Sequence, residues 1–163
     1  MTALPAQRLV DAWQQCQRHQ HHMNHALSAI RQHLPMTASS VTALDDEAVQ
    51  DWDQFILRFT KLQDAMGNRL FTALLEYLLE PAADQPMIDK LNRLEKLGYI
   101  ERAETWQVLR SIRNRFTHDY PDDDALRAAA LNEAVDAANV LGSMLSVIKP
   151  LVDRARIDAG AVG

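Results

Sequence analysis

At 163 residues with 47% hydrophobic side chains, the chain has the size of one typical domain and enough apolar material for one substantial core. A formal net charge of −5 excludes attraction of polyanions over the whole surface, so any contact with nucleic acid needs a local basic patch. A single cysteine, Cys16, excludes an internal disulfide, the first residues lack the basic-then-apolar pattern of a secretion signal, and apolar runs fall far short of the roughly 20 residues that span a bilayer; a cytoplasmic protein without membrane association is expected.

Only five glycines occur, and Ala, Leu, Gln, Glu and Arg dominate, so the expected fold class is all-α. At about 100° per residue, Leu9, Ala12, Trp13, Cys16, Met23, Leu27, Ile30 and Leu34 form one stripe of a first helix over residues 5–34, with Pro5 in its first turn. Residues 35–46, rich in Ser and Thr, read as a linker whose terminal acids cap the next helix. Residues 45–79 carry Trp52, Phe55, Ile56, Phe59, Leu62, Met66, Leu70, Leu74 and Tyr77 on one face of a second long helix. Pro81 and Pro86 break the chain, and a short helix over 87–97 closes on Gly98 in the left-handed capping position. A fourth helix begins at about residue 101 and ends before Pro121, which disfavours helical geometry at Tyr120. The last helix, over about 122–156, starts on acids that complement its dipole and presents Leu126, Ala130, Ala134, Leu141, Met144, Leu145, Ile148 and Val152 as an apolar arc, with Pro150 as a kink or fray point. Together these predict an antiparallel bundle of about four to five helices, with a core over residues 46–155.

The stretch "HQHHMNH" places His19, His22 and His25, or His21 and His25, at helical metal-ligand spacings. His21, His22 and His25 lie about 100–200° from the apolar stripe, on the solvent face, and no carboxylate or thiolate joins them, so a solvated polar face is expected and no metal site. Cys16 falls within the stripe and reads as a small core residue.

"SIRNRFTHDY" (residues 111–120) is different. With Trp106 at zero on the wheel, Leu109, Arg110, Arg113 and Phe116 cluster within about 100°, which sets two arginines on or beside the buried stripe. An arginine there needs an acceptor, and a structural salt bridge is one way to supply it. Arg113 is accompanied by Asn114, His118 and Tyr120, and an always-charged phosphate binder beside a group titrating near neutrality suits phosphodiester chemistry. On a straight helix Arg113 and His118 stand about 140° apart, so they converge only if the helix breaks before Pro121 or if a twofold-related chain brings its own copies to one groove.

In this motif, Arg113-Asn114, His118 and Tyr120 at the spacing Arg, four residues, His, one residue, Tyr, the chain resembles the HEPN family (higher eukaryotes and prokaryotes nucleotide-binding domain), in particular HepT-like toxins paired with minimal nucleotidyltransferase antitoxins. "FILRFTKLQDAMGNRLF" (55–71) and the stretch over 88–124 are similar to bacterial members too. The resemblance implies a helical bundle that forms a homodimer with two motif copies around one cleft, and a metal-independent ribonuclease without a cofactor. It implies that His118 is the general acid or base, that Arg113 stabilises phosphoryl charge and that Asn114 orients the pair or the RNA. Arg110 and Arg115 are the expected RNA-binding residues, joined by Arg58, Lys61 and Arg69 if the fold brings them near. Tyr120 is the implied acceptor of AMP groups from the partner nucleotidyltransferase, which silences the cleft. A noncatalytic module that binds a nucleotidyltransferase or a nucleotide is the alternative that the same motif allows.

Overall fold

The computed structural model describes residues 3–117 and 122–160, and every regular element within them is helical. The helices are α1 (Ala3–Ile30), α2 (Ala38–Thr42), α3 (Asp46–Ala65), α4 (Phe71–Tyr77), α5 (Met87–Leu97), α6 (Ala103–Thr117) and α7 (Asp124–Gly160). α1 packs on both α3 and α7, and α6 packs on α7, α5 and α3. The interface is the apolar stripe expected from the spacing: Leu9, Trp13, Cys16, Met23, Leu27 and Ile30 are buried with Phe55, Phe59 and Leu62 of α3 and Leu141, Leu145 and Ile148 of α7. Each such side chain removed from water contributes about 1.5–3 kcal/mol, and this shared stripe makes the helices one bundle.

Local chemistry fixes the helix ends. Asp45 accepts the Ala48 N–H at 2.8 Å and caps α3, with Asp46 and Glu47 in the first turn beside the positive end of the dipole. Gly98 closes α5 at φ 87°, a conformation that costs glycine nothing, and the Tyr99 N–H donates back to the Leu94 carbonyl at 2.9 Å. Glu95 of α5 then accepts the Ala103 N–H at 2.8 Å and satisfies the start of α6.

Several sequence expectations change. The segment over 35–46 is not all linker: Thr37 and Ser40 form a reciprocal capping box that nucleates α2, and Asn132 of α7 clamps Met36 through both its N–H (2.8 Å) and its carbonyl (2.9 Å). The second long helix is interrupted, because residues Met66–Leu70 form a π turn between α3 and α4. Its apolar stripe is otherwise as expected, with Trp52, Phe55, Phe59, Leu62, Met66, Leu70 and Leu74 buried. α7 runs through Pro150 to Gly160 without fraying there, and Leu126 of its expected arc, in the first turn, is 62% exposed. By length and composition α7 is apolar enough to cross a bilayer, but half of that stretch is buried inside the bundle. α1 is helical from Ala3 to Ile30 and ends in a 3-10 turn, Arg31–His33.

Candidate functional site

α6 carries the motif, and its register decides which arginine faces what. Trp106 and Leu109 anchor the helix in the core, leaving Arg113 half-buried one turn further on. The acceptor that a buried-side arginine requires is Asp64 of α3: Arg113 Nη2 donates to Asp64 Oδ1 at 2.8 Å and to Oδ2 at 3.0 Å. Arg113 Nη1 donates to Asn114 Oδ1 at 3.0 Å, so two of the three expected catalytic residues are held together. His118 and Tyr120, the remaining members, lie outside the described residues.

Arg113 and Arg110 line one wall of a polar cavity of about 200 Å³. Its other lining residues are Gln63, Asp64, Gly67 and Asn68, which share one face at the junction of α3 and the π turn, together with Trp106 and Met87. The π turn and Gly67 make this approach possible: a Cβ at position 67 would lie 3.0 Å from Trp106 Cζ2, tighter than ordinary contact. Gln63 is 2% exposed, and among the described residues neither its Nε2 nor its Oε1 has a hydrogen-bond partner; Arg113 Nε is likewise buried and without a partner among them.

The other motif arginine points elsewhere. Arg115 is ion-paired with Glu133 of α7 and borders a shallow apolar groove with Val108, Ile112 and Val140. Arg110 and Arg115, expected to act together, therefore stand on different sides of α6. A second groove of about 510 Å³ lies at the C-terminal end of α6, between Phe116 and Thr117 and the α3 residues Asp53, Ile56, Leu57 and Thr60; Leu57 is 48% exposed there.

A cation cluster occupies the neighbouring surface of α1 and α3. Arg58 Nη1 lies 3.1 Å from His19 Nδ1, and the charges of Arg58, Arg18 and Lys61 all act on His19. Burial first, and then these charges and His22, push the His19 pKa below its usual value. No carboxylate among the described residues pairs with Arg18, Arg58 or Lys61. Lys61 precedes Asp64 by three residues, which makes them surface neighbours on α3, so the cluster adjoins the Arg113 site. Arg69, also expected to join, instead donates to Gln15 of α1. His21, His22 and His25 are exposed, and among the described residues no three His, Cys, Asp or Glu side chains gather as a metal site. Burial pushes the Cys16 thiol up to about 12 against a smaller opposing pull from Arg69, which keeps it protonated and unreactive.

Asp64 and Gln63 are not part of the motif. A signal for Gln63 does exist, since a glutamine between Phe59 and Met66 interrupts an otherwise apolar stripe. Comparison with family models, with characterised proteins and with solved structures finds no match to this chain.

Proposed function

We propose that the protein is a metal-independent endoribonuclease of the HEPN type, the toxin of a toxin–antitoxin pair, acting as a homodimer. The observation that carries this reading is the half-buried Arg113, held by Asp64 beside Asn114 at the mouth of a polar cavity, five residues before His118 on the same chain. His118 takes the proton of a ribose 2′-hydroxyl as that oxygen attacks the adjacent phosphorus; the bond to the 5′-oxygen of the next nucleotide breaks, that oxygen takes a proton from water, His118 gives back to the water the proton it took, and a 2′,3′-cyclic phosphate remains. Arg113 meets the charge that grows on the phosphoryl oxygens, and Asn114 fixes its orientation.

Support for an RNA track comes from the cation cluster of Arg18, Arg58 and Lys61, which gives an acidic protein the local patch it needs and adjoins the site through Lys61. Support for the homodimer comes from the exposed apolar groove at the end of α6, where Leu57, Ile56 and Phe116 offer a second chain a surface next to the motif. Tyr120 is the proposed site at which a nucleotidyltransferase partner attaches AMP and silences the cleft.

Expression in bacteria tests the reading: the wild-type chain arrests growth, and Arg113→Ala and His118→Ala each relieve the arrest at equal protein level. Equal tolerance of all three chains overturns it. It then favours a noncatalytic module that binds a nucleotidyltransferase or nucleotide, a reading supported by the engagement of Arg113 by Asp64, which reduces the charge available to phosphate.

A further inference from the structure

Buried amide groups are nearly always hydrogen-bonded, because an unmet donor or acceptor keeps its desolvation cost of about 1–3 kcal/mol. Gln63 leaves both ends of its carboxamide unmet at 2% exposure. Of the five buried polar side-chain atoms without a partner among the described residues, three belong to Gln63 and Arg113, and both residues line the same cavity. The fold tolerates this at a place where it has also inserted a π turn and brought Gly67 against the Trp106 ring, both residues lining the cavity. Trp52 Nε1 and Arg58 Nε are unmet outside the cavity, whereas the three atoms of Gln63 and Arg113 are gathered at it, which is the arrangement a partner from solution would satisfy.

The groups define that partner. A carboxamide presents one donor and one acceptor side by side, and its complement is a planar edge offering the reverse pair. At about 200 Å³ the cavity is smaller than the roughly 300 Å³ at which pockets for drug-sized ligands begin, so it suits one heterocycle rather than a whole nucleotide. The exposed Arg110 guanidinium and Asn68 amide stand at the rim, where a sugar-phosphate leaving the cavity would pass. We propose that the cavity is a nucleobase-reading subsite, in which the Gln63 carboxamide, closed to water in the free chain, turns into the cavity and pairs with the edge of one unstacked base while Arg110 holds the adjoining backbone. Unstacked bases are read in this way, on their hydrogen-bonding edges and against aromatic or guanidinium planes. The source is single-stranded RNA, so that the subsite sets which nucleotide neighbours the cleaved bond; this assignment of source rests on the ribonuclease reading, whereas the base chemistry does not.

Calorimetric titration of the full chain with AMP, GMP, CMP, UMP and inorganic phosphate tests the subsite, with cleavage-site mapping on a mixed-sequence RNA run in parallel. The expected result is that one nucleotide binds at least about tenfold more tightly than phosphate or the other three. Gln63→Met, of matching length, removes that preference while its melting temperature without ligand stays level or rises, because an unmet amide has been taken out of the core. Asn68→Ala, at an exposed rim position, weakens the same nucleotide without affecting folding and serves if Gln63→Met does not fold. No nucleotide preference in the wild type, or an undiminished preference in both variants, overturns the subsite, and so does a lower melting temperature for Gln63→Met with nucleotide affinity retained, which marks Gln63 as structural. RNA cleavage with no base preference at the cut sites removes the subsite and leaves the ribonuclease standing. Nucleotide binding that depends on Gln63 in a chain that cuts no RNA removes the ribonuclease and makes a free nucleotide the occupant.

Discussion

One nitrogen of Arg113, Nη2, meets both carboxylate oxygens of Asp64 across the α3–α6 contact, at 2.8 and 3.0 Å. The side chains keep 22% and 41% of their surface in water, so this is a positioned pair at a cavity mouth rather than a sealed one. A pair so hydrated contributes about 0–1 kcal/mol to stability. Its larger effect is to fix the guanidinium where α6 presents the motif.

Arg113→Ala should therefore leave the protein folded, with a melting temperature lowered by no more than about 2–4 °C, the shift that roughly 1 kcal/mol produces in a chain of this size. Thermal denaturation of Arg113→Ala, Asp64→Ala and the double variant checks this. A coupling energy of about 1 kcal/mol or less agrees with a functional arginine; several kcal/mol would mark a buried structural ion pair.

Charge reversal in the α1–α3 cluster should weaken RNA binding without unfolding the chain, because Arg18 and Lys61 are exposed and lack carboxylate partners among the described residues. In Lys61→Glu or Arg18→Glu, the slope of log affinity against log salt for a single strand should fall by about 0.7 for each phosphate that the variant no longer neutralises. Filter binding at several salt concentrations reads this slope, and an unchanged slope removes the cluster from the RNA track.

His19 titrates within that cluster, facing Arg18 and His22 on its own helix and Arg58 and Lys61 on α3. Its folded pKa lies below the unfolded value of 6.5, so the folded state binds its proton less readily than the unfolded one. Stability is whole above the unfolded pKa and declines as pH falls from about 6.5 through the folded pKa. Replacement by Gln removes this contribution, and a polyanion seated on the cluster raises the His19 pKa toward its usual value. Imidazole chemical shifts followed by NMR across the range from about pH 4.5 to about pH 8, with and without a short oligonucleotide, measure both effects; a His19 that titrates normally in both would contradict them.

How much of this is legible in the sequence follows from the range of each interaction. The α1 and α3 stripes, the cap by Asp45 and the stop at Gly98 are set by residues within a few positions of each other, and periodicity and cap chemistry read them correctly. The capping box of Thr37 and Ser40 is equally local, but Ser and Thr mark loops as readily as caps, which hides it. The approach of the Trp106 indole to Gly67 and the Asp64–Arg113 pair, which joins residues 49 positions apart, are tertiary contacts. No local pattern encodes either. The division of Arg110 and Arg115 between two sides of α6 is by contrast local, since five residues of helix set them about 140° apart; only the ion pair of Arg115 with Glu133 of α7 is beyond the reach of spacing.

The groove at the end of α6 carries the proposed dimer interface. Leu57→Glu should turn a dimer into a monomer in light scattering and abolish RNA cleavage together with it, whereas a monomeric wild-type chain that still cleaves would separate activity from assembly.

The most direct measurement is cleavage of single-stranded RNA by the purified chain in excess EDTA, with the ends of the products identified by mass spectrometry. The predicted result is fragments ending in 2′,3′-cyclic phosphate, formed by the wild type and reduced by about a hundredfold or more in both Arg113→Ala and His118→Ala. An intact RNA after prolonged incubation with the wild type, or equal cleavage by the His118→Ala chain, would contradict the ribonuclease assignment.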